Sequence, residues 1–576
     1  MQEKEYLHGR WAAIMSWGLL AVMGFLLLLR TRYGMDTTDE TFYLATARRF
    51  YDGDFLFKHD WNTAQVMGLV LLPVYRAYVL VHGSSEGIIL FSRILLVFFG
   101  FGLACFLFRT LIKNTKSRMT ALAVSICMLL YVRGNIINLS YYSLGMYTFV
   151  FALLLWMRSG ESGHRQLCLA AAGISFSLSV LCMPYMVFLF CVIVILGLVC
   201  WIRKDTEKVG DVRSFLCGVF FSGVVFLALF GRYIPWNGLL EYLPMIFRDP
   251  EMEQEGIFVQ LFDLLVYYTT VFLKYTWPLY LVTAVISVWF WKNHRKSKNT
   301  ERWLDFLLLA EFFVQAVYVR TYFEGGIIAV FLLLALQLQL IHPDIRLKKL
   351  EHYFLVPGFL FGIVWVIASN VGQRSINMSF LIMDIWAVSF VLKLGGQSGK
   401  GLRGLYSCAV ILLTGLLFII RFLDVYRDGA VSQLTNCVET GVMKGIYTEE
   451  LRGAVYEKTV KVLQEQVHET DTAVVLGCNP WAYMDLSGSC GSYSTWNLQG
   501  EDVLLEQYYE LCPEKIPTVI LVMPPELDKY VSWRFSSHGS GVHNGKKEVP
   551  AGILADMIQK GDYQRVEIDG VTIYRK

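Results

Sequence analysis

Runs of about twenty apolar residues recur through the first three quarters of the chain, each long enough to cross a ~30 Å hydrocarbon core at ~1.5 Å per residue. The pattern predicts spans at 11–30, 87–112, 119–135, 141–157, 166–183, 184–202, 213–231, 276–292, 303–319, 323–341, 353–370, 376–394 and 405–423. That makes about thirteen crossings. Two further apolar stretches fit less well. Residues 66–82 are interrupted by Pro73 and Arg76, and 257–273 carry Asp263 with Lys274 just beyond. Both read as interfacial or re-entrant helices. The first run, Trp11 to Leu29, follows Lys4 and Arg10, is too long for a signal-peptide core and lacks a small-x-small cleavage site. It reads as a retained signal anchor.

Charge orients these spans. With the N-terminus in the cytoplasm, alternate loops carry Arg109/Lys113/Lys116/Arg118, Arg158/Arg165, Arg203/Lys204/Lys208/Arg213, Lys292/Arg295/Lys296/Lys298/Arg302, Arg346/Lys348/Lys349 and Lys393/Lys400/Arg403. The opposite loops hold little more than Arg133, Arg320 and Arg374. This is the positive-inside pattern, and an odd number of crossings places the C-terminal segment outside. Two outer loops, 31–86 and 233–275, then share a face with the tail. A bacterial plasma membrane is the simplest home.

From Asp424 the pattern changes. Residues 1–423 read as a transmembrane domain and 424–576 as a soluble extracytoplasmic α/β domain of ordinary size. Leu451, Val455, Thr459 and Val462 fall at helical spacing, while Thr472–Gly477 and Thr518–Met523 are compact β-branched runs, predicting buried strands. Val566–Ile573 predicts a hairpin turning at Asp569-Gly570. The turn Gly477-Cys-Asn-Pro-Trp481 reads as a strand exit, with ligand contact as the alternative. There is no GxGxxG and no P-loop.

Composition narrows the class. The net charge is +3, with no basic run that would suit nucleic acid. Hydrophobic residues make up 55 % and aromatics 15 %, as expected where rings sit at membrane interfaces. Most of the 12 cysteines lie in apolar runs. Cys437, Cys478, Cys490 and Cys512 fall in the tail, where a Cys478–Cys490 disulfide or free thiols are both open.

The first outer loop begins Gly34-Met-Asp-Thr-Thr-Asp-Glu-Thr-Phe-Tyr43. Thr37-Thr-Asp-Glu40 has the form of a capping box, with Asp39 and Glu40 favouring the helix dipole. Phe42, Tyr43, Ala47, Phe50 and Tyr51 then fall on one face, with Arg48, Arg49 and Asp52 turned away, as in an interfacial helix. An acidic start to a surface helix would account for the motif. So would chemistry: a carboxylate within hydrogen-bond reach of an acceptor hydroxyl can take its proton, typically contributing ~10²–10⁴-fold.

The order of elements bears on that choice. A first span is followed by Asp39-Glu40, an amphipathic helix ending in Tyr51-Asp-Gly-Asp54, a second interfacial stretch, then Gly83-Ser-Ser-Glu-Gly87 and Arg93 early in the next span. This resembles the GT-C superfamily of polytopic glycosyltransferases, the group of the protein O-mannosyltransferases and the aminoarabinose transferases of lipid A. The layout is similar over 1 to 345, and the residue-level match lies in 30–112. The Pro-Pro-Leu element of several relatives is replaced by Thr63-Ala-Gln65-Val-Met-Gly, which leaves sugar and acceptor open. The resemblance implies a polyprenyl-phosphate-linked sugar donor, an envelope glycan, lipid or protein acceptor, inversion at the anomeric carbon, and catalysis by Asp39 and Glu40 with the first as general base.

Such a reaction needs positive charge to hold the departing phosphate. Arg320 in Tyr318-Val-Arg-Thr-Tyr322, Arg374 and Arg232 are rim arginines suited to a lipid phosphate, with Tyr322 beside the first; snorkelling at helix ends is the plain alternative. His59, Asp60 and Asp249 are candidates for an acceptor or secondary role. His59 and Asp60 with Asp39 and Glu40 could also ligate a divalent metal, although the spacing favours solvated loops. No cofactor is certain. A flippase for polyprenyl-linked saccharides, or an envelope glycan polymerase or ligase, is the competing reading. The chain shows no internal repeat of the kind transporters carry.

Overall fold

The computed structural model describes residues 2–247, 257–273, 277–294, 298–319, 326–368, 376–496, 503–528 and 549–576. Among these, nine helices are long and apolar enough to cross a membrane: Trp11–Arg30, Gln65–His82, Ile88–Thr115, Arg165–Cys182, Pro184–Ile202, Thr206–Tyr233, Lys348–Ala368, Asn377–Gln397 and Lys400–Leu423. The chain is a helical membrane protein. The expected count of about thirteen is not reached among the described residues. The apolar helices Arg118–Leu130, Phe258–Tyr267, Trp277–Trp289 and Gly326–Ile341 are shorter.

Burial separates the central helix from the lipid-facing ones. Asn377–Gln397 has 83 % of its most apolar window buried, whereas Pro184–Ile202 has 11 % and exposes Ile195, Leu196 and Trp201. The helices Arg165–Cys182 and Thr206–Phe230 approach closely at two glycines. A Cβ on Gly173 would lie 2.1 Å from Phe215 O, and one on Gly218 would lie 2.0 Å from Ala170 O. Small residues are what allow such backbone approach inside a bilayer.

Gln65–His82 qualifies as a span by length and apolarity, although Pro73 and Arg76 interrupt it. Tyr75 and Arg76 face protein. Arg76 donates to the Tyr233 hydroxyl and lies 5.8 Å from that ring's centroid, and Tyr75 packs on Tyr51 of the preceding helix.

The expected span 119–135 ends early. Its helix stops at Leu130, and Tyr131–Ser140 form an irregular loop turning at Gly134 (φ +65°) and Asn135 (φ +54°). Asn135 Nδ2 donates to Asp424 O at 2.5 Å and its Oδ1 accepts from Arg421 Nη1 at 2.8 Å. These bonds tie the loop to the end of the last span, so tertiary contacts set where the helix stops.

The C-terminal residues form two sheets. β1 (Asn436–Cys437) and β2 (Tyr447–Thr448) make a short antiparallel pair. β3 (Thr472–Leu476), β4 (Ser489–Cys490), β5 (Val519–Val522), β6 (Gln564–Ile568) and β7 (Val571–Arg575) make a mixed sheet of order β4-β3-β5-β7-β6. β3 runs parallel to β4 and β5, and the β6–β7 hairpin turns at Asp569 and Gly570, both with positive φ. Ala473, Val475 and Leu521 pack with the helices Glu450–Gln466 and Pro480–Asp485, through Tyr456, Val460, Trp481 and Tyr483. Val474, Leu476, Ile520 and Val522 pack on the other face with Leu505, Tyr508 and Leu554. No disulfide forms among the described residues; Cys490 Sγ lies 3.4 Å from Ser492 Oγ.

Candidate functional site

The acidic loop is buried, and the C-terminal segment holds it. Asp428 Oδ2 accepts from the Met35 amide at 2.6 Å and from Thr448 Oγ1 at 2.8 Å. Arg452 donates to Met35 O at 2.6 Å, Thr37 Oγ1 at 3.2 Å and Leu527 O at 3.1 Å. Arg427 donates to Thr38 Oγ1.

The expected capping box is replaced by another cap. Thr38 is the N-cap of Asp39–Tyr51 and its side chain accepts no capping bond. Asp36 supplies the cap instead, accepting from the Thr38 amide at 3.0 Å, the Thr38 hydroxyl at 2.6 Å and the Glu40 amide at 3.0 Å. Burial raises the Asp36 pKa, with Arg427 opposing and Asp39 adding to it. That leaves Glu40 free to pair elsewhere.

Glu40 is gripped on every side. Arg93 Nε donates to Glu40 Oε2 at 2.9 Å and its Nη2 forms a second contact; the Ile137 amide donates to Oε1 at 2.9 Å. Asn138 Nδ2 donates to Glu40 O at 2.6 Å. Arg93 also holds Thr31 O and Gly34 O. Burial pushes the Glu40 carboxyl up to about 7, against the pull of Arg93.

Asp39 differs. Asp36 and Glu40 are each 1 % exposed, whereas Asp39 is 9 % exposed and its side chain 13 %. Tyr426 Oη donates to Asp39 Oδ2 at 2.6 Å, and Arg427 Nη1 lies 2.9 Å from the same oxygen. Burial works against the Arg427 cation, but Asp39 and Tyr426 outweigh it and raise its pKa.

Arg133, from the irregular loop, completes the charge pattern. Its guanidinium stacks 4.0 Å from the Tyr142 ring centroid and is within electrostatic reach of Tyr141, Tyr426 and Asp39. It forms no ion pair among the described residues. Beyond it stands an aromatic wall: Tyr43 against Tyr141 at 5.3 Å, and Tyr142 and Tyr185 against Trp365 at 5.6 and 5.2 Å between ring centroids. Tyr185 Oη and Trp365 Nε1 are buried without a hydrogen-bond partner among the described residues. Most buried polar side-chain atoms in native structures have a partner in protein or ordered water.

The other expected residues fall elsewhere. Arg320, Tyr322, Arg374 and Asp249 lie outside the described residues. Arg232 Nη2 donates to its neighbour's hydroxyl, Tyr233 Oη, at 2.8 Å. His59 and Asp60 are buried rather than solvated, 6 % and 1 % exposed. Arg49, predicted to face solvent, is buried with them, pairing with Asp54 at 2.8 Å and Asp60 at 3.3 Å. Lys515 bridges Asp54 from the C-terminal segment. Burial would raise the Asp54 pKa, but Arg49, His59 and Lys515 hold it far below the usual carboxylate range. The helix Asp39–Tyr51 is therefore enclosed on its polar face as well: Arg48 Nη1 donates to Met484 O at 2.6 Å.

His59 also belongs to the set able to hold a metal ion. His59, Cys512 and Glu514 place ligand atoms within 4.8 Å of one another. This differs from the expected grouping with Asp39 and Glu40. Lys58 Nζ sits 2.6 Å from Glu514, which makes the set a polar bridge in its own right.

Sequence reasoning missed Arg133, Tyr426, Arg427 and Arg452. The signal available was the dense polar run Asp424-Val-Tyr-Arg-Asp428 immediately after the last span. No family model matches this chain, and no curated protein matches it in sequence.

Proposed function

We propose that this protein is an integral-membrane glycosyltransferase of the GT-C kind, which moves a sugar from a polyprenyl-phosphate donor to a cell-envelope acceptor on the outer face. The observation that carries the reading is Asp39: the most exposed carboxylate of the acidic loop, set between two arginines and beside an aromatic wall with unsatisfied polar groups.

In this reading the acceptor hydroxyl approaches Asp39, which takes its proton as the oxygen attacks the anomeric carbon. The bond from that carbon to the phosphate oxygen breaks on the opposite side, inverting the centre. The leaving polyprenyl phosphate keeps the electron pair, and Arg133 and Arg427 stabilise its charge. Glu40 takes no proton; with Arg93 it fixes the helix start so that Asp39 is aimed. The thirteen-span topology, the outer placement of residues 424–576 and a bacterial plasma membrane belong to the same proposal, supported by the charge asymmetry of the loops.

The test is transfer of radiolabelled sugar from a panel of polyprenyl-phosphate donors by purified wild type and Asp39→Asn. Turnover by wild type alone supports the reading. Equal turnover by both moves the base elsewhere, and no release of polyprenyl phosphate from any donor overturns it.

A further inference from the structure

The chain leaves β3 toward the face covered by the helices Pro480–Asp485 and Glu450–Gln466. After β4, the parallel neighbour, the next described helix, Val503–Leu511, packs Leu505 and Tyr508 on the opposite face. Where parallel strands send their connections to opposite faces, a crevice opens at their carboxyl ends, and ligands of open α/β sheets bind there.

In this molecule that edge is turned toward the acidic loop. Trp496, after β4, packs its ring 5.2 Å from Phe42, one helical turn after Asp39. Cys478, just past β3, is within electrostatic reach of Arg427. Leu527, past β5, accepts from Arg452 through its carbonyl. The edge also contains an unexplained polar group. Thr495 is 2 % exposed, and its hydroxyl has no hydrogen-bond partner among the described residues. Its neighbours are satisfied: Ser494 Oγ accepts from the Trp496 amide at 3.0 Å, and Ser492 Oγ donates to Ser494 O at 2.5 Å. A buried hydroxyl without a partner loses its hydration with nothing in return.

We propose that the carboxyl edge of β3 and β4 is the acceptor site, and that it takes a saccharide, with the Trp496 indole as stacking surface and Thr495 Oγ1 bonding a sugar hydroxyl. This rests on the transferase reading and names the acceptor class. An aromatic face with a few placed polar groups is the common make-up of a small-molecule site. A pyranose offers the matching surface, an apolar C–H face ringed by hydroxyls. The motif Gly477-Cys-Asn-Pro-Trp481 frames the crevice without contributing side-chain bonds: Asn479 is used by Leu476 O and Trp481 Nε1.

The experiment is saturation-transfer NMR on the full-length protein in nanodiscs, with methyl glycosides of glucose, galactose, mannose, rhamnose and N-acetylglucosamine as probes. At least one glycoside binds wild type. Trp496→Ala weakens that glycoside fivefold or more, Trp496→Phe restores much of it, and Thr495→Val weakens it severalfold with an unchanged thermal midpoint. Absence of glycoside binding to wild type, or equal binding by Trp496→Ala, overturns the acceptor site. Donor turnover by wild type, read separately, reports on the transferase reading. Turnover without glycoside binding removes only this inference, and glycoside binding without turnover removes the transferase.

Discussion

The Arg427 guanidinium lies 2.9 Å from Asp39 Oδ2, and the adjacent Tyr426 hydroxyl reaches the same oxygen at 2.6 Å. The neighbouring carboxylate, Glu40, is instead held by Arg93 and the Ile137 amide. Two adjacent acids thus have different surroundings. Asp39→Asn keeps the side chain's shape and should lower sugar transfer by ~10²–10⁴-fold while the protein stays monodisperse. Glu40→Ala should instead strand a buried arginine and cost ~3–5 kcal/mol, read as loss of monodisperse protein on size exclusion. Equal effects of the two on folding would contradict this division.

Arg133 forms no ion pair among the described residues, so its removal strands no described carboxylate. Arg133→Met should reduce turnover by ~10²-fold or more, the range seen when a charge-stabilising donor is lost. Its melting curve should superpose on that of wild type. A large drop in melting temperature would mark Arg133 as structural.

Arg49, Asp54, Asp60 and Lys515 form a buried charge network between the first outer loop and the C-terminal segment. Lys515→Met should destabilise by ~3–5 kcal/mol, because a buried carboxylate loses a partner. Adding Asp54→Leu should recover part of it. A double variant worse than the sum of the two singles would refute the coupling.

Asp485 is a buried acid whose pKa burial raises to about 7, with the Tyr456 hydroxyl and the Val442 amide pulling it back. Folding therefore favours its protonated form. That contribution is fully present below the ordinary carboxylate pKa and is lost as pH rises through about 7. Asp485→Asn should melt progressively higher relative to wild type between pH 5 and pH 8 (about the window of the shift). A pH-independent difference would rule Asp485 out as its source.

The sequence is most informative where one physical rule dominates. Apolar runs mark the spans, and the β-branched runs around Val474 and Ile520 mark the strands, because burial alone decides those positions. The acidic loop was visible as Asp39-Glu40 next to a span. Its partners were not. Arg93 stood out only by resemblance, and Arg427, Arg452 and Asn138 contact the loop from positions that no periodicity links to it. The enclosed polar face of Asp39–Tyr51 shows the same limit: Arg48 and Arg49 follow the pattern of a solvated stripe, yet Met484, Asp54 and Asp60 cover them. Periodicity reports which face is apolar, not what will later cover the other one.

Arg452 and Asp428, which tie down Met35, follow every span in the chain. During synthesis Asp39 is made long before Tyr426, Arg427, Asp428 and Arg452, which are still untranslated when the first helices form. The acidic loop then has a carboxylate but neither Tyr426 nor Arg427 beside it. The contacts around Asp39 are complete only once the last segment has packed over the first, so a prematurely terminated chain lacks them.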